Sequence, residues 1–166
     1  MKVAGGIDKR QLGQQALEIA AVNDALASNG KTVRVLRSVE LNLDPHGSGG
    51  MEKEALAKLD LVLGCFYSAL RRKEDQTERF FAALRNPAVH ILGHPRGRIY
   101  NYRLGLKAEW ALVFDLAARL DKAVEIDCYP DRQDLSLDLV RLERGGDAGS
   151  HSGQILMEQL SLGSSS

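Results

Sequence analysis

Leu61-Val-Leu-Gly-Cys-Phe66, the charged run Arg71–Arg85 and Ala88-Val-His-Ile-Leu92 together decide the fold. The outer two are short, almost wholly apolar and of strand length. The middle run sets Phe80, Phe81 and Leu84 on one side of a helix. It stops before Asn86-Pro87, because the residue preceding a proline is pushed out of the α region. Strand, helix and strand in that order make a βαβ unit. Continuous apolar strands are those covered on both faces, as in parallel sheets.

The same alternation extends in both directions. Asp8 reads as an N-cap, Leu12, Ala16, Ile19, Ala20 and Leu26 recur at helical spacing, and Asn29-Gly30 is a stop, so a helix is predicted over about 9–28. Thr32-Val-Arg-Val-Leu-Arg-Ser-Val39 is rich in β-branched residues and reads as a strand. Leu43–Gly50 is a loop of turn formers, and a short helix over 52–58 follows. Downstream, Leu106, Trp110, Val113, Phe114, Ala117 and Leu120 trace one helix face, and Ala123-Val-Glu-Ile-Asp-Cys128 reads as a fourth strand. Ser136 caps a helix that ends at Gly145-Gly146, and a weaker helical signal covers 153–161. The prediction is an α/β fold with a parallel sheet, open or curled into a barrel, and helices outside.

Composition bounds what such a domain does. The 166 residues suit one domain, expected over 1–161, with a flexible Gly/Ser tail at 162–166. Lys and Arg number 22 and Asp and Glu 22, so no overall field favours nucleic acid or an anionic membrane. Aromatic residues are 5% of the chain, which argues against a stacking platform for single strands. No apolar stretch approaches the roughly 20 residues that span a bilayer, and the N-terminus lacks a signal-like apolar core. Cys65 and Cys128 sit in apolar runs and read as buried, reduced thiols of a cytoplasmic protein.

Ligands of parallel sheets bind outside the carboxyl ends of the strands. The residues there are Glu40, then Tyr67 and Ser68, then His94, Pro95 and Arg96, with Glu125 and Asp127 near the end of the fourth strand. Asp147 and His151 follow a glycine pair. Each alone is an ordinary solvated or turn residue. Together, carboxylates and imidazoles on one rim suit Zn, Mn or Fe rather than Ca. Arg96, Arg98 and Arg103 lie in the loop Gly93–Arg103, and a guanidinium fork matches phosphate oxygens. Gly149-Ser-His-Ser-Gly153 is not a nucleophile elbow, since His holds its centre, and no Walker loop or dinucleotide fingerprint is present. A metal-free hydrolase using Glu125, Asp127 or Ser68 is the weaker alternative.

Ile91-Leu-Gly-His-Pro-Arg-Gly-Arg98, with Val124-Glu-Ile-Asp-Cys-Tyr-Pro-Asp-Arg132 after it, resembles the PHP (polymerase and histidinol phosphatase) family. The likeness is strongest to the PHP domain attached to bacterial family X DNA polymerases. Val3-Ala-Gly-Gly-Ile-Asp8 and Leu59-Asp-Leu-Val-Leu-Gly64 fit the same pattern. The resemblance implies a distorted, TIM-like barrel and metal ions at the strand ends that hydrolyse phosphoesters. It assigns Glu40, His94 and Asp147 as catalytic metal ligands, with His151 beside them. Arg96 and Arg98 would steady the phosphate. Tyr67 takes the place of the family's V-H-S histidine, and His151 comes two places later than the D-A-H pattern expects. The family's earlier H-x-H and D-H motifs are absent, so a truncated barrel with one Zn or Mn ion at most is expected. The expected substrate is a small phosphorylated or related ester. Unpaired sheet edges would favour a homo-oligomer. The competing expectation is a PHP-like interaction module, or a polymerase fragment, without catalysis.

Overall fold

The computed structural model describes residues 8–145 and 155–158. Its elements run α1 (Lys9–Ser28), β1 (Ser38–Asn42), α2 (Lys53–Leu56), β2 (Leu61–Cys65), α3 (Thr77–Arg85), β3 (Ile91–Leu92), α4 (Trp110–Arg119), β4 (Ala123–Asp127), α5 (Leu137–Gly145) and β5 (Ile155–Glu158). The five strands form one sheet in the order β1-β2-β3-β4-β5, and every neighbouring pair is parallel. Parallel strands laid down in sequence order, with right-handed crossovers, carry their connecting helices on the same face.

The core lies on that face. Leu41, Val62, Leu92 and Val124 from the sheet pack with Phe80, Leu84, Val113, Phe114 and Ala117 from α3 and α4. Phe66, Phe80, Trp110 and Phe114 form a chain of ring contacts, with centroids 4.9–5.8 Å apart. Side chains alternate along a strand. The opposite face therefore carries Glu40, Leu63, Cys65, Ile91 and Glu125, as the register of Glu40 with Leu63 and of Leu63 with Ile91 requires.

Several boundaries differ from the sequence expectation. Residues 32–37 are not a strand, and β1 begins at Ser38. Val33, Val35 and Leu36 are exposed, and the Asn23 side chain takes both backbone groups of Val35 at 2.8 and 2.9 Å in place of a ladder. Asp60 accepts the Arg37 N–H at 2.8 Å, which sets where pairing with β2 starts. Glu40 consequently sits within β1 rather than past its end. α3 starts at Thr77 and not at Arg71, where the Asp75 carboxylate accepts the Thr77 N–H at 3.0 Å and marks the helix start. Segment 155–158, expected as part of a helix, is a strand paired with β4. The capping box of Asp8 and Gln11 does open α1.

Candidate metal centre

Three elements bring chemistry to the carboxyl end of the sheet. β1 supplies Glu40, β2 ends on Cys65, and His94 stands two residues beyond β3. One ligand atom from each of these three lies within 4.8 Å of the others. Glu40 is exposed, whereas Cys65 and His94 are buried. Parallel pairing explains the convergence: Glu40 is opposite Leu63, so Cys65, two residues on, follows on the same face.

Gly93 makes room for the thiol. A Cβ there would stand 2.5 Å from Cys65 Sγ and 3.4 Å from Glu125 Oε2. Only a glycine lets the β3 exit pass so close to β2 and β4. His94 itself has φ +25°, and its N–H donates to the Glu125 carboxylate. Its Nδ1 is buried with no hydrogen-bond partner among the described residues. A buried imidazole nitrogen left open fits a metal ligand better than a packing residue.

The Tyr67 hydroxyl donates to Glu40 Oε2, and its ring meets His94 edge-on with centroids 5.1 Å apart. Burial, and then the Glu40 carboxylate, push the phenol well above its ordinary range, so it stays a neutral donor. Arg79 anchors the neighbouring backbone. It is almost fully buried, lies 4.1 Å over the Phe66 ring and donates to the Ser68 carbonyl at 2.8 Å.

Asp134 closes the loop that carries His94. Its Oδ2 accepts the N–H groups of Arg96 at 2.9 Å and Arg98 at 3.2 Å. Its own N–H donates to the Asp127 carbonyl at 3.0 Å, tying the loop to the β4 exit. Burial pushes its carboxyl up, opposed by those N–H groups and by Arg96. The guanidinium of Arg96 turns to the Leu104 carbonyl at 3.0 Å. That of Arg98 reaches the Gln133 carbonyl at 3.4 Å and lies 5.7 Å from the Tyr100 centroid.

The structure therefore brings Glu40 and His94 together, keeps Arg96 and Arg98 in the His94 loop, and adds Cys65, which sequence reasoning counted as a buried thiol only. Cys128, expected buried, is exposed. Glu125 and Asp127 share a face as their alternation requires, but Glu125 is engaged by His94 and Asp127 by the Tyr129 N–H. Asp147 and His151 lie outside the described residues. Asp134 and Arg79 carried no motif, since each matters only through contacts 36–38 and 11 residues away. A carboxylate, a thiol and an imidazole with an open nitrogen form a donor set that fits a divalent transition ion.

Fold and site together define an α/β protein with a metal-capable cluster at the carboxyl ends of parallel strands. Sequence comparison narrows this. The chain is 33% identical over 136 residues, 81% of its length, to the DNA polymerase/3'-5' exonuclease PolX of Bacillus subtilis. It is 34% identical over 73 residues to a probable phosphatase of Thermoanaerobacter sp. and 33% identical over 73 residues to one of Caldanaerobacter subterraneus subsp. tengcongensis. The matches cover 23% of the PolX chain and 29–30% of those phosphatases. No protein-family model matches the chain. Among the described residues no helix is long and apolar enough to cross a membrane.

Proposed function

We propose that this chain is a PHP-type, metal-assisted phosphoesterase acting on small phosphorylated or related esters. The observation that carries the reading is the convergence of Glu40, within β1, and His94, beyond β3, with His94 Nδ1 buried and unpartnered among the described residues. Similarity to a polymerase/exonuclease and to probable phosphatases supports phosphoester chemistry. We infer further that the sequential sheet is an arc of a distorted barrel whose inner face bears the site.

Glu40 and His94 would hold the ion, joined by Asp147 and His151 on the resemblance stated above. A bound Zn or Mn ion supplies a water of lowered pKa and a Lewis acid for the phosphoryl oxygen. The chain's own groups do the rest. Glu125 fixes the His94 backbone and hence the direction of its ring. Tyr67 orients the Glu40 carboxylate and keeps a proton at its own oxygen. Arg98, bound only weakly to Gln133, is free to swing towards a phosphate, whereas Arg96 must first leave Leu104.

A nucleotide-like substrate is favoured by one further observation. All four tyrosines, Tyr67, Tyr100, Tyr102 and Tyr129, are exposed and follow strands β2, β3 and β4. Arg71 lies 4.5 Å over Tyr102. Flat rings beside cations suit a base next to its phosphate.

The test is hydrolysis of an aryl phosphate and of a nucleotide ester by the purified chain with Mn or Zn. Turnover should vanish in chelator and fall at least roughly a hundredfold in His94→Ala. Turnover equal to that of His94→Ala, or untouched by chelator, overturns the reading in favour of a non-catalytic module or a metal-free hydrolase.

A further inference from the structure

We propose that Cys65 is a thiolate ligand that makes this a zinc site, completing a Glu40–Cys65–His94 centre with one open coordination position. The inference rests on the metal-centre reading above and goes further by choosing the ion and its third ligand, Cys65 in place of the Asp147 and His151 that the resemblance implies.

Geometry comes first. The three ligand atoms lie within 4.8 Å of one another, and they come from three successive strands or strand exits. Zinc bonds of about 2.0–2.3 Å set tetrahedral ligands roughly 3.5 Å apart, so closure requires each atom to move inward by about an ångström or less. Glu40 is the exposed member, and its movement towards the ion is a pivot on, or release from, the Tyr67 hydroxyl that holds its Oε2. Cys65 and His94 are buried on a rigid sheet and a pinned loop, so they form the fixed half of the site.

The thiol's position is also built. It lies against the bare backbone of Gly93, where any Cβ would be 2.5 Å from the sulfur. The independent pointer to a ligand is His94, which is nine-tenths buried and whose Nδ1, within this same cluster of residues, has no partner among the described residues. The Tyr67 hydroxyl donates to Glu40 Oε2 beside the cluster.

Chemistry then selects the ion. Thiolate with imidazole is the preferred pair for zinc, while Mn and Mg prefer all-oxygen sets. Three protein ligands of mixed type with a fourth position left to water describe hydrolytic zinc rather than a closed structural site. On binding, the Cys65 S–H bond breaks, its proton passes to solvent and the sulfur lone pair goes to the metal.

The experiment uses the full chain with Cys128→Ser, so that any thiolate signal comes from Cys65. Added Co(II) should give the visible bands of four-coordinate cobalt and a near-ultraviolet thiolate-to-cobalt charge-transfer band. Cys65→Ser in that background should lose the charge-transfer band, keep the visible bands and bind zinc at least roughly tenfold more weakly. Zinc should also slow alkylation of Cys65 in the Cys128→Ser chain at least roughly tenfold, a readout that does not depend on Cys65→Ser folding. Cobalt bands without charge transfer, together with unprotected Cys65, overturn the thiolate proposal and leave the metal centre standing. No uptake of cobalt or zinc by the Cys128→Ser chain overturns the metal centre itself.

Discussion

Asp134 holds the site loop by a buried carboxylate that accepts two backbone N–H groups. Its Oδ1 has no partner among the described residues. Asn in its place can still accept both N–H groups through Oδ1, whereas Ala orphans them. Asp134→Ala is therefore expected to lose about 2–4 kcal/mol in urea denaturation at neutral pH, since each buried orphan donor costs roughly 1–3 kcal/mol. The pH dependence has a definite sign. Folding raises this acid above its ordinary value of 3.8, so the folded chain keeps a proton that the unfolded chain has released. Its contribution is present below 3.8 and is lost as the pH rises through the folded value. Asp134→Asn should lack that decline, so its stability relative to the parent should grow with pH above 3.8. A pH-independent difference would remove the buried charge from the account. At this scale His94 is legible as a residue just beyond a strand, whereas Glu40 is expected after a strand ending at Val39 and lies instead inside β1. Cys65 was not, because a thiol in an apolar run reads the same whether it packs or ligates.

At the scale of elements, Gly47 locks α3 to the loop after β1. It has φ +75°, and a Cβ there would stand 2.4 Å from the Ala82 backbone. Asn86 at the end of α3 donates to the Gly47 carbonyl at 2.7 Å. Gly47→Ala combines a left-handed backbone worth roughly 1–2 kcal/mol with a backbone clash. It should lower stability by about 2–4 kcal/mol in the same denaturation assay. A loss below about 0.5 kcal/mol would mean that loop and helix separate freely. The helices were legible from spacing and caps, as α1 and its capping box attest. Of the strand expected over 32–39 only Ser38 and Val39 belong to β1, because β-branched residues mark propensity, whereas a strand requires a partner. Asn23 and Asp60 satisfy that backbone instead. Segment 155–158 was misread in the opposite direction, since four residues beside β4 need no periodicity to pair.

For the molecule as a whole, alternating helices and strands made the parallel sheet legible, because a βαβ repeat leaves few topologies. Sequential strand order then separates a helix-covered core face from a face that carries Glu40, Cys65 and Glu125. Among the described residues, β1 and β5 end the sheet with one neighbour each. Open parallel edges invite pairing with another copy. The chain is expected to run as a dimer or larger in light scattering, and a monomer at all concentrations would contradict this. The central claim is the metal centre, and elemental analysis of the purified protein after dialysis against Zn tests it most directly. The expected result is one zinc per chain, lost in the Glu40→Ala, His94→Ala double variant with the fold intact by circular dichroism. No bound metal in the parent protein, or equal zinc in the folded double variant, would contradict it.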